Sequence, residues 1–370
     1  MKKVIIIFAI PLSYLFCMDF DAFMQKSLDM QRQLVKIKQE ESKNNINIKS
    51  RYENPNLEMA GSKDEYSISL TQPFRLSSGS LKEYEQKSFA YLDASNIFDI
   101  AQLQKNLSFE YLRYSYLYKK MNLKKEELDI NKKILNISKV KSNTGSISDI
   151  EYLESKISYK IANSEYKMSK IEYLNQYYLL LKLSNTKEEV DIHPEYSFTL
   201  IVTNNKNPEL LKVEKKSELL GHEASLSKTK YFDIFSEYES ENEAFRIGID
   251  LPLRIFDNKS EEKQILKLKA KTKKLLATNL SLQNNIELKR LEEELISLDF
   301  LILDLESILE LNSRLFDTYS QSYKISKTNF LKLQDIKNKV IRVKQEILSV
   351  NNKKESNIIK QNYLRGAYNE

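Results

Sequence analysis

Two short stretches of the chain alternate apolar and polar residues with a period of two, the spacing of a β-strand with one apolar face. They cover 66–76 and 245–255, and each follows a weaker alternating stretch. The pattern therefore predicts two β-hairpins, one over 46–76 and one over 231–255. The positions that share the apolar faces of the two stronger strands are Tyr66, Ile68, Leu70, Phe74, Phe245, Ile247, Ile249, Leu251 and Leu253.

The two hairpins occupy equivalent places in a duplicated chain. When Pro73 is aligned with Pro252, Arg75 aligns with Arg254. A single shift in residue number, close to half the length of the chain, therefore relates the two halves. Self-similarity at a fixed offset indicates that one structural plan is used twice. The alternative is two ordinary amphipathic hairpins packed on their own core, but that alternative does not explain their recurrence at matching points.

Apolar residues at alternating steps of three and four fill most of the remaining chain. In the first half they are Ile147, Ile150, Leu153, Ile157, Ile161, Ser164, Met168, Ile171, Leu174, Tyr178 and Leu181. In the second half they are Leu288, Leu291, Leu295, Leu298, Ile302, Leu305, Leu309, Asn312, Phe316, Tyr319 and Tyr323, followed after an interruption by Leu333, Ile336, Val340, Val343, Ile347 and Val350. A period of about 3.5 residues sustained over this length predicts long helices that supercoil against partners.

These patterns divide the chain into two structural repeats. The first repeat spans 18–190, a polar linker spans 191–206, and the second repeat spans 207–370. Each repeat consists of a helix, a β-hairpin and a helical hairpin, and the helical hairpins are predicted over 79–184 and 258–365. The chain is therefore mainly α with a small β part.

The segment 1–17 reads as a signal peptide. Two lysines precede an apolar run of about 13 residues, which is too short for a membrane-spanning helix of about 20 residues. A short membrane anchor is the alternative. Cys17 is the only cysteine, so no intrachain disulfide can form. It is either lost with the signal peptide or kept as a lipid-modified first residue; the bulky Phe16 before it favours its loss.

Composition supports a helical, non-enzymatic protein. The chain has 58 basic and 52 acidic residues, a net charge of +6, and only 6 Gly and 6 Pro, whereas average usage would supply about 26 Gly and about 19 Pro. The interleaved charges argue against a nucleic-acid partner. His193 and His222 are the only histidines and lack metal-ligand spacing, and no phosphate loop or nucleophile elbow occurs. We therefore expect no enzyme activity, no metal site and no cofactor.

Four short strands are too few to close a barrel in a membrane, and an open sheet cannot leave its edges unpaired in lipid. If the apolar faces of the hairpins contact lipid, three copies of the chain would supply twelve strands, and a homotrimer is the simplest closed solution. The polar faces would then line water. The alternatives are a periplasmic coiled-coil structural protein or an adaptor protein, both without a pore.

Over nearly the whole mature chain, the sequence resembles the TolC-like outer-membrane efflux proteins. Both strands end in the Pro-apolar pair of that family, seen here in 72–76 and 251–255. The turn after the first long helix, 145–153, is similar to the family pattern Gly-x-Ile-Ser-x-Leu-Asp-x-Leu, whereas the second turn, 328–336, lacks the glycine. Asn-Pro-x-Leu, typical near helix starts in the family, occurs at 207–210 and favours its metal-cation branch.

The resemblance implies a trimeric outer-membrane channel of a Gram-negative bacterium. It implies a 12-stranded β-barrel in lipid, an α-barrel of coiled-coil helices projecting into the periplasm, and passive export of small molecules or metal cations. The implied partners are a periplasmic membrane-fusion adaptor and an inner-membrane transporter of the RND type. The residues expected at the adaptor-docking turns are Gly145, Ser146, Ile147, Ser148, Thr328, Asn329 and Phe330. In such a channel, a threefold ring of like charge would constrict and select electrostatically, and the candidate gate residues are Asp149, Lys332 and Asp335.

Overall fold

The computed structural model describes residues 18–50, 54–75, 78–186, 190–203, 205–226, 231–251 and 260–368. In chain order these residues form α1 (Phe20–Ser50), β1 (Asn56–Gly61), β2 (Tyr66–Arg75), α2 (Ser78–Asn143), α3 (Asp149–Leu183), α4 (Pro208–Leu226), β3 (Tyr231–Glu239), β4 (Ala244–Asp250), α5 (Ser260–Lys324) and α6 (Phe330–Leu364). The order helix, two strands, two helices thus occurs twice. The predicted signal peptide, Leu253 and the Pro252 motif lie outside the described residues.

The predicted fold class, mainly α with a small β part, is confirmed. The longest helices are α2 with 66 residues and α5 with 65 residues. Each is followed by a helix of 35 residues. Long runs free of proline allow such helices, because a proline in a helix interior removes a hydrogen bond and clashes with the preceding turn.

The predicted start of the first hairpin at residue 46 is wrong. Helix α1 continues to Ser50 and strand β1 begins only at Asn56. The segment 31–50 contains neither glycine nor proline and is rich in Lys, Gln and Glu, which are good helix formers. The first residue that opposes the helix is Pro55, which also disfavours helical geometry in the residue before it. The alternation of Ile46 and Ile48 was too short to indicate a strand.

The four strands form one antiparallel sheet in the order β1-β2-β3-β4. The central pair joins the two repeats, with Ser67 opposite Glu239 at one end of the ladder and Arg75 opposite Tyr231 at the other. Strands β1 and β4 are consequently the edges of the sheet.

By their contacts the residues group into two compact units, and each unit draws on both repeats. Among the described residues, the first unit draws on 18–30, 103–201 and 289–362, and the second draws on 31–102, 202–288 and 363–368. The turns that join α2 to α3 and α5 to α6 belong to the first unit, and the sheet belongs to the second. Sequence repeats and compact units are therefore different divisions of this chain.

Polar contacts in the first unit show which long helices are neighbours. Helix α3 is held by α2, α2 packs on α6, and α6 packs on α5. The corresponding contacts are Glu172 with Lys120 at 2.8 Å, Lys337 with Asn131 at 3.1 Å, and Lys353 with Glu294 at 2.6 Å. Near its end α5 also contacts α2. Helices α3 and α5 thus lie at the two sides of this layer of helices.

Candidate functional site

The sheet of the second unit has one face that is apolar and exposed. The strand register aligns Leu57 with Leu70 and Met59 with Ile68, and it aligns Tyr238 with Phe245. The exposed fractions of the predicted residues on this face are 54% for Tyr66, 37% for Ile68, 44% for Leu70, 65% for Phe245, 71% for Ile247 and 62% for Ile249. The predicted Leu251, just beyond β4, is 58% exposed. A contiguous apolar surface of this kind is typical of a face that contacts a partner or lipid.

One predicted residue of this face is partly covered. Phe74 stacks on Phe232 of the neighbouring strand, with ring centroids 5.3 Å apart. The two rings lie directly opposite each other in the ladder between β2 and β3. Cross-strand aromatic pairs stabilise a sheet by up to about 1 kcal/mol, so this pair reinforces the junction between the two repeats.

The opposite face of the sheet is mostly polar, and Phe235 is an aromatic residue on it. Arg246 lies opposite Glu237 and forms an ion pair with Glu239 at 3.2 Å. Phe235 lies opposite Gly248, and an added Cβ at Gly248 would lie only 2.4 Å from the Phe235 ring. Sequence reasoning missed Phe235; the signal was an aromatic residue facing a lone glycine in the partner strand.

The turn between α2 and α3 is a Schellman motif. Gly145 has a φ of 68°, and its amide donates to the Ser142 carbonyl at 3.0 Å. The Ser146 amide donates to the Lys141 carbonyl at 2.8 Å. These bonds satisfy the last carbonyls of α2, and the positive φ is the reason for glycine at this position.

The turn between α5 and α6 has the same geometry without a glycine. Ser326 has a φ of 60° and its amide donates to the Tyr323 carbonyl at 3.2 Å, while the Lys327 amide donates to the Ser322 carbonyl at 2.9 Å. Ser326 is thus the equivalent of Gly145 in the second repeat. The family's turn pattern was matched to the second turn only from residue 328 onward, so Ser326 was missed. An offset close to the one that relates Pro73 to Pro252 brings Gly145 next to Ser326 and could have found it.

Both turns end in an equivalent helix cap. The Ser148 hydroxyl accepts from the Glu151 amide at 3.2 Å at the start of α3. The Asn329 side-chain oxygen accepts from the Lys332 amide at 3.0 Å at the start of α6. Such caps stabilise a helix by about 1 kcal/mol, so both turns are built for a fixed shape.

A buried cluster lies directly behind the two turns. Ile134 of α2, Tyr323 of α5, and Phe330 and Leu333 of α6 are each exposed by 4% or less. Phe330 was expected at the docking surface, but with 2% exposure it belongs to this core. That expectation is wrong because the first residue of α6 points into the cluster. The remaining predicted turn residues are half-buried (Ile147, Thr328) or exposed (Gly145, Ser146, Ser148, Asn329).

A buried lysine connects the end of α2 to the end of α5 next to this cluster. The buried Lys141 ammonium donates to the Tyr323 carbonyl and lies 4.2 Å from the centroid of the Tyr323 ring. The Tyr323 hydroxyl lies 2.8 Å from the Ser138 hydroxyl. Burial lowers the pKa of Lys141, and the negative charge of Glu151 partly opposes that effect.

The candidate gate residues lie in the first unit, close to the turns. Asp149 accepts a hydrogen bond from the Ser142 hydroxyl at 3.2 Å. Asp335 forms an ion pair with Lys339 at 2.8 Å. Lys332 is exposed, as are the other two. Exposed charges near the turns can line a passage only if other copies of the chain surround them.

The apolar seam predicted on α3 is exposed in the single chain. Its members Ile150, Leu153, Ile157, Ile161, Met168, Ile171 and Tyr178 are each more than half exposed. The chain instead buries another face of α3, formed by Ser155, Ala162, Ser169 and Gln176, which follow one another at a heptad spacing. The seam is therefore a surface without a partner in the described part of the chain.

The two histidines lie apart from any metal-binding arrangement. The described residues contain no group of three or more His, Cys, Asp or Glu placed to hold a metal ion. His222 is 3.3 Å from a Glu83 oxygen, and the His193 ring is 2.9 Å from the Glu195 carbonyl.

Among the helices of the described residues, none has a stretch apolar and long enough to span a membrane.

Comparisons with known proteins identify the fold. No family model matches the chain, and no curated protein matches it. Solved structures of bacterial membrane proteins, however, match almost all of it. Among them are CusC (14% identity, 93% of this chain, 91% of that chain, TM-score 0.76), VceC of Vibrio cholerae (10%, 94%, 95%, 0.77) and MtrE of Neisseria gonorrhoeae (12%, 93%, 88%, 0.71).

The chain therefore has the TolC-like fold that the resemblance predicted. CusC is described as forming a transmembrane channel, VceC as an outer-membrane protein, and MtrE as an outer-membrane channel in its open state. At identities of 10–14% the likeness establishes the fold, and the functional assignment depends on the site.

Proposed function

We propose that this protein is the outer-membrane channel of a tripartite efflux pump in a Gram-negative bacterium, a passive trimeric conduit that projects into the periplasm. One observation carries the proposal: the sheet exposes a largely apolar face, and its two edge strands have no pairing partner among the described residues. A lone sheet of this kind is unstable in water and cannot enter lipid with open edges. The fold shared with known outer-membrane channels supports the same role.

Closure by three copies satisfies both features of the sheet. Strand β4 of one copy would pair with β1 of the next, and three sheets of four strands give twelve (3 × 4). The apolar face would contact lipid, and the polar face with Arg246 and Glu237 would line water. A coiled-coil structural protein or an adaptor without a pore would have no use for this exposed face.

Detergent-purified protein tests the channel directly. We expect multi-angle light scattering to give a mass of three chains and planar bilayers to show discrete conductance steps. We also expect a folded trimer that migrates differently before and after heating. A monomer in mild detergent, with no conductance and a water-soluble exported form, would contradict the proposal.

The two turns of the first unit are proposed as the docking surface for a membrane-fusion adaptor. Each turn has a fixed backbone with small polar residues at its surface, which allows another helical hairpin to approach closely. Because Ser326 reproduces the geometry of Gly145, both turns offer the same shape. The adaptor would couple the channel to an inner-membrane transporter, for which the RND type is the expected class.

Asp149, Lys332 and Asp335 are proposed to line the periplasmic opening of the assembled channel. A threefold ring of carboxylates would favour cations electrostatically. The test replaces Asp335 with Asn and measures the cation-to-anion permeability ratio of the reconstituted channel. We expect the ratio to fall in this variant, whereas Glu310→Gln, which lies on α5 and further from the turn, should leave it unchanged. An unchanged ratio in Asp335→Asn, and likewise in Asp149→Asn and in Lys332→Gln, would remove these residues from the pore.

The cargo is proposed to be small molecules or metal cations. Deleting the gene and measuring growth inhibition by copper, silver, zinc, dyes and bile salts would separate the two classes. Sensitivity to metal salts alone would assign the metal-cation branch, and sensitivity to organic compounds alone would assign a drug-type pump.

A further inference from the structure

The outer surface of α3 combines an apolar seam with a row of lysines. Lys156, Lys160, Lys167 and Lys170 are exposed and form no ion pair within the described residues. At about 100° per residue they flank the seam on the side opposite Glu165 and Glu172, which are the residues that pair with α2. The lysine row therefore faces away from the rest of its own chain.

The outer surface of α5 combines exposed apolar residues with acidic ones. The apolar residues of this surface within the first unit are Ile296, Phe300, Leu301, Leu303, Ile308, Leu311 and Leu315. Between residues 292 and 317 the sequence contains eight acidic residues and one basic residue, Arg314. Asp304, Glu306 and Asp317 are exposed and form no ion pair within the described part of the chain. This surface thus has the opposite charge to the outer surface of α3.

The start of α3 and the end of α5 lie at the same level of the first unit. Lys141, close to the end of α2, contacts Tyr323, the penultimate residue of α5. The turn from α2 into α3 therefore lies beside the turn from α5 into α6. Since α3 leaves its turn while α5 approaches its own, the two helices run antiparallel when placed side by side.

Opposite charges occur at equal distances from the turns. Lys167 follows the first residue of α3 by as many positions as Glu306 precedes the last residue of α5 (167 − 149 = 324 − 306). The same holds closer to the turns for Lys156 and Asp317 (156 − 149 = 324 − 317). At about 1.5 Å per residue, the two pairs stand about 27 Å and about 10 Å from the turns.

We infer that the basic outer face of α3 binds the acidic outer face of α5 of a second copy of this chain, in antiparallel register, with Lys167 near Glu306 and Lys156 near Asp317. This inference rests on the proposed trimer. It adds which two helices form the interface, the register in which they meet, and the opposite charges that select this register. A contact between two different surfaces is head-to-tail and closes into a ring when three copies are joined. The apolar seams supply the buried area and the charges select the register.

A charge-swap experiment tests whether the opposite charges on α3 and α5 hold neighbouring copies together. Lys156→Glu with Lys167→Glu places acids against acids, and we expect trimers in mild detergent to dissociate at about tenfold higher protein concentration at low salt. Glu306→Lys with Asp317→Lys, which lie on the same side of α5, should produce a similar loss. Combining all four substitutions restores opposite charges and should return the midpoint to near the wild-type value. Raising NaCl to about 0.5 M should shrink the differences, because exposed charges are screened. Circular dichroism checks that each variant keeps its helices.

Cross-linking tests the register. When every copy carries both Lys167→Cys and Glu306→Cys, a short bismaleimide in intact cells should join the cysteine at position 167 of one copy to the cysteine at position 306 of the next, giving covalent dimers and trimers on denaturing gels. The control combines Lys167→Cys with Asp317→Cys. The distances of these two positions from their turns differ by about 16 Å, so this variant should not be cross-linked. Single-cysteine variants report any contribution from Cys17.

The outcomes separate this inference from the proposed function. Charge rescue together with register-specific cross-links supports both. A wild-type trimer that conducts, without rescue or cross-linking at the matched pair, overturns the helix pairing and leaves the channel intact. Monomeric wild-type protein without conductance overturns both.

Discussion

Bulk added at the first turn should abolish export without unfolding the protein. Gly145 has a φ of 68°, and an added Cβ would meet nothing within 4 Å. A substitution there costs only backbone strain, about 1–2 kcal/mol for an ordinary residue and less for asparagine. Because folded proteins are typically stable by about 5–15 kcal/mol, Gly145→Arg should still fold and assemble.

The second turn supplies the matched comparison. Ser326 already has a positive φ of 60°, so Ser326→Arg adds the same bulk with no further backbone strain. Gly145→Asn adds little bulk and little strain. If the turns dock an adaptor, Gly145→Arg and Ser326→Arg should both lose export, whereas Gly145→Asn should retain most of it.

The assay replaces the chromosomal gene with each variant and measures growth in graded concentrations of metal salts, dyes and bile salts. Trimer abundance is measured in outer-membrane fractions of the same cells. Wild-type resistance in Gly145→Arg cells with normal trimer abundance would refute docking at this turn. Loss confined to Gly145→Arg, accompanied by reduced trimer abundance, would indicate strain rather than docking.

Three further predictions concern stability. Tyr323→Phe leaves the Ser138 hydroxyl without its 2.8 Å partner and should reduce the free energy of unfolding by about 1–3 kcal/mol, measured by urea titration. Gly248→Ala forces the Phe235 ring to move and should lower the temperature at which trimers dissociate, whereas an unchanged temperature would show that the ring moves freely. Burial lowers the pKa of Lys337 in the folded protein from its ordinary value of 10.5. Between that lowered pKa and pH 10.5 the unfolded chain binds more protons, so wild-type stability should rise with pH in this window relative to Lys337→Met. Parallel pH profiles of the two proteins would contradict this.

Sequence periodicity located nearly every helix and strand. The first helical hairpin was predicted to end at residue 184, and its second helix, α3, ends at Leu183 after starting from the cap residue Ser148. Asn207 caps α4 as Asn-Pro-x-Leu suggests, because its side chain accepts from the Glu209 and Leu210 amides at 3.0 and 3.1 Å. Such signals are local, so the sequence contains them in full.

Errors arose where a residue's surroundings decide its role. Phe330 begins a helix near an exposed turn, yet it is buried because Ile134 and Tyr323 lie across from it. Ser326 adopts a backbone conformation that favours glycine, because the end of α5 and the start of α6 fix the turn around it. No local pattern marks either residue.

The buried lysines illustrate the same limit. Lys337 is 4% exposed and reaches Asn131 at 3.1 Å across the contact between α6 and α2. In the sequence it is one of many lysines on helices. Only the packing of two helices distant in the chain shows that its charge is buried.

The sequence by itself determined the duplicated plan, the helices and the strands, because hydrophobic period, proline and capping residues act within a few residues of one another. The tertiary structure alone decided which apolar faces the chain covers. On α3 the covered face is the heptad row of Ser155, Ala162, Ser169 and Gln176, and the longer apolar seam stays exposed. A period specifies which residues share a face, but only the position of neighbouring helices specifies whether that face is buried within one chain.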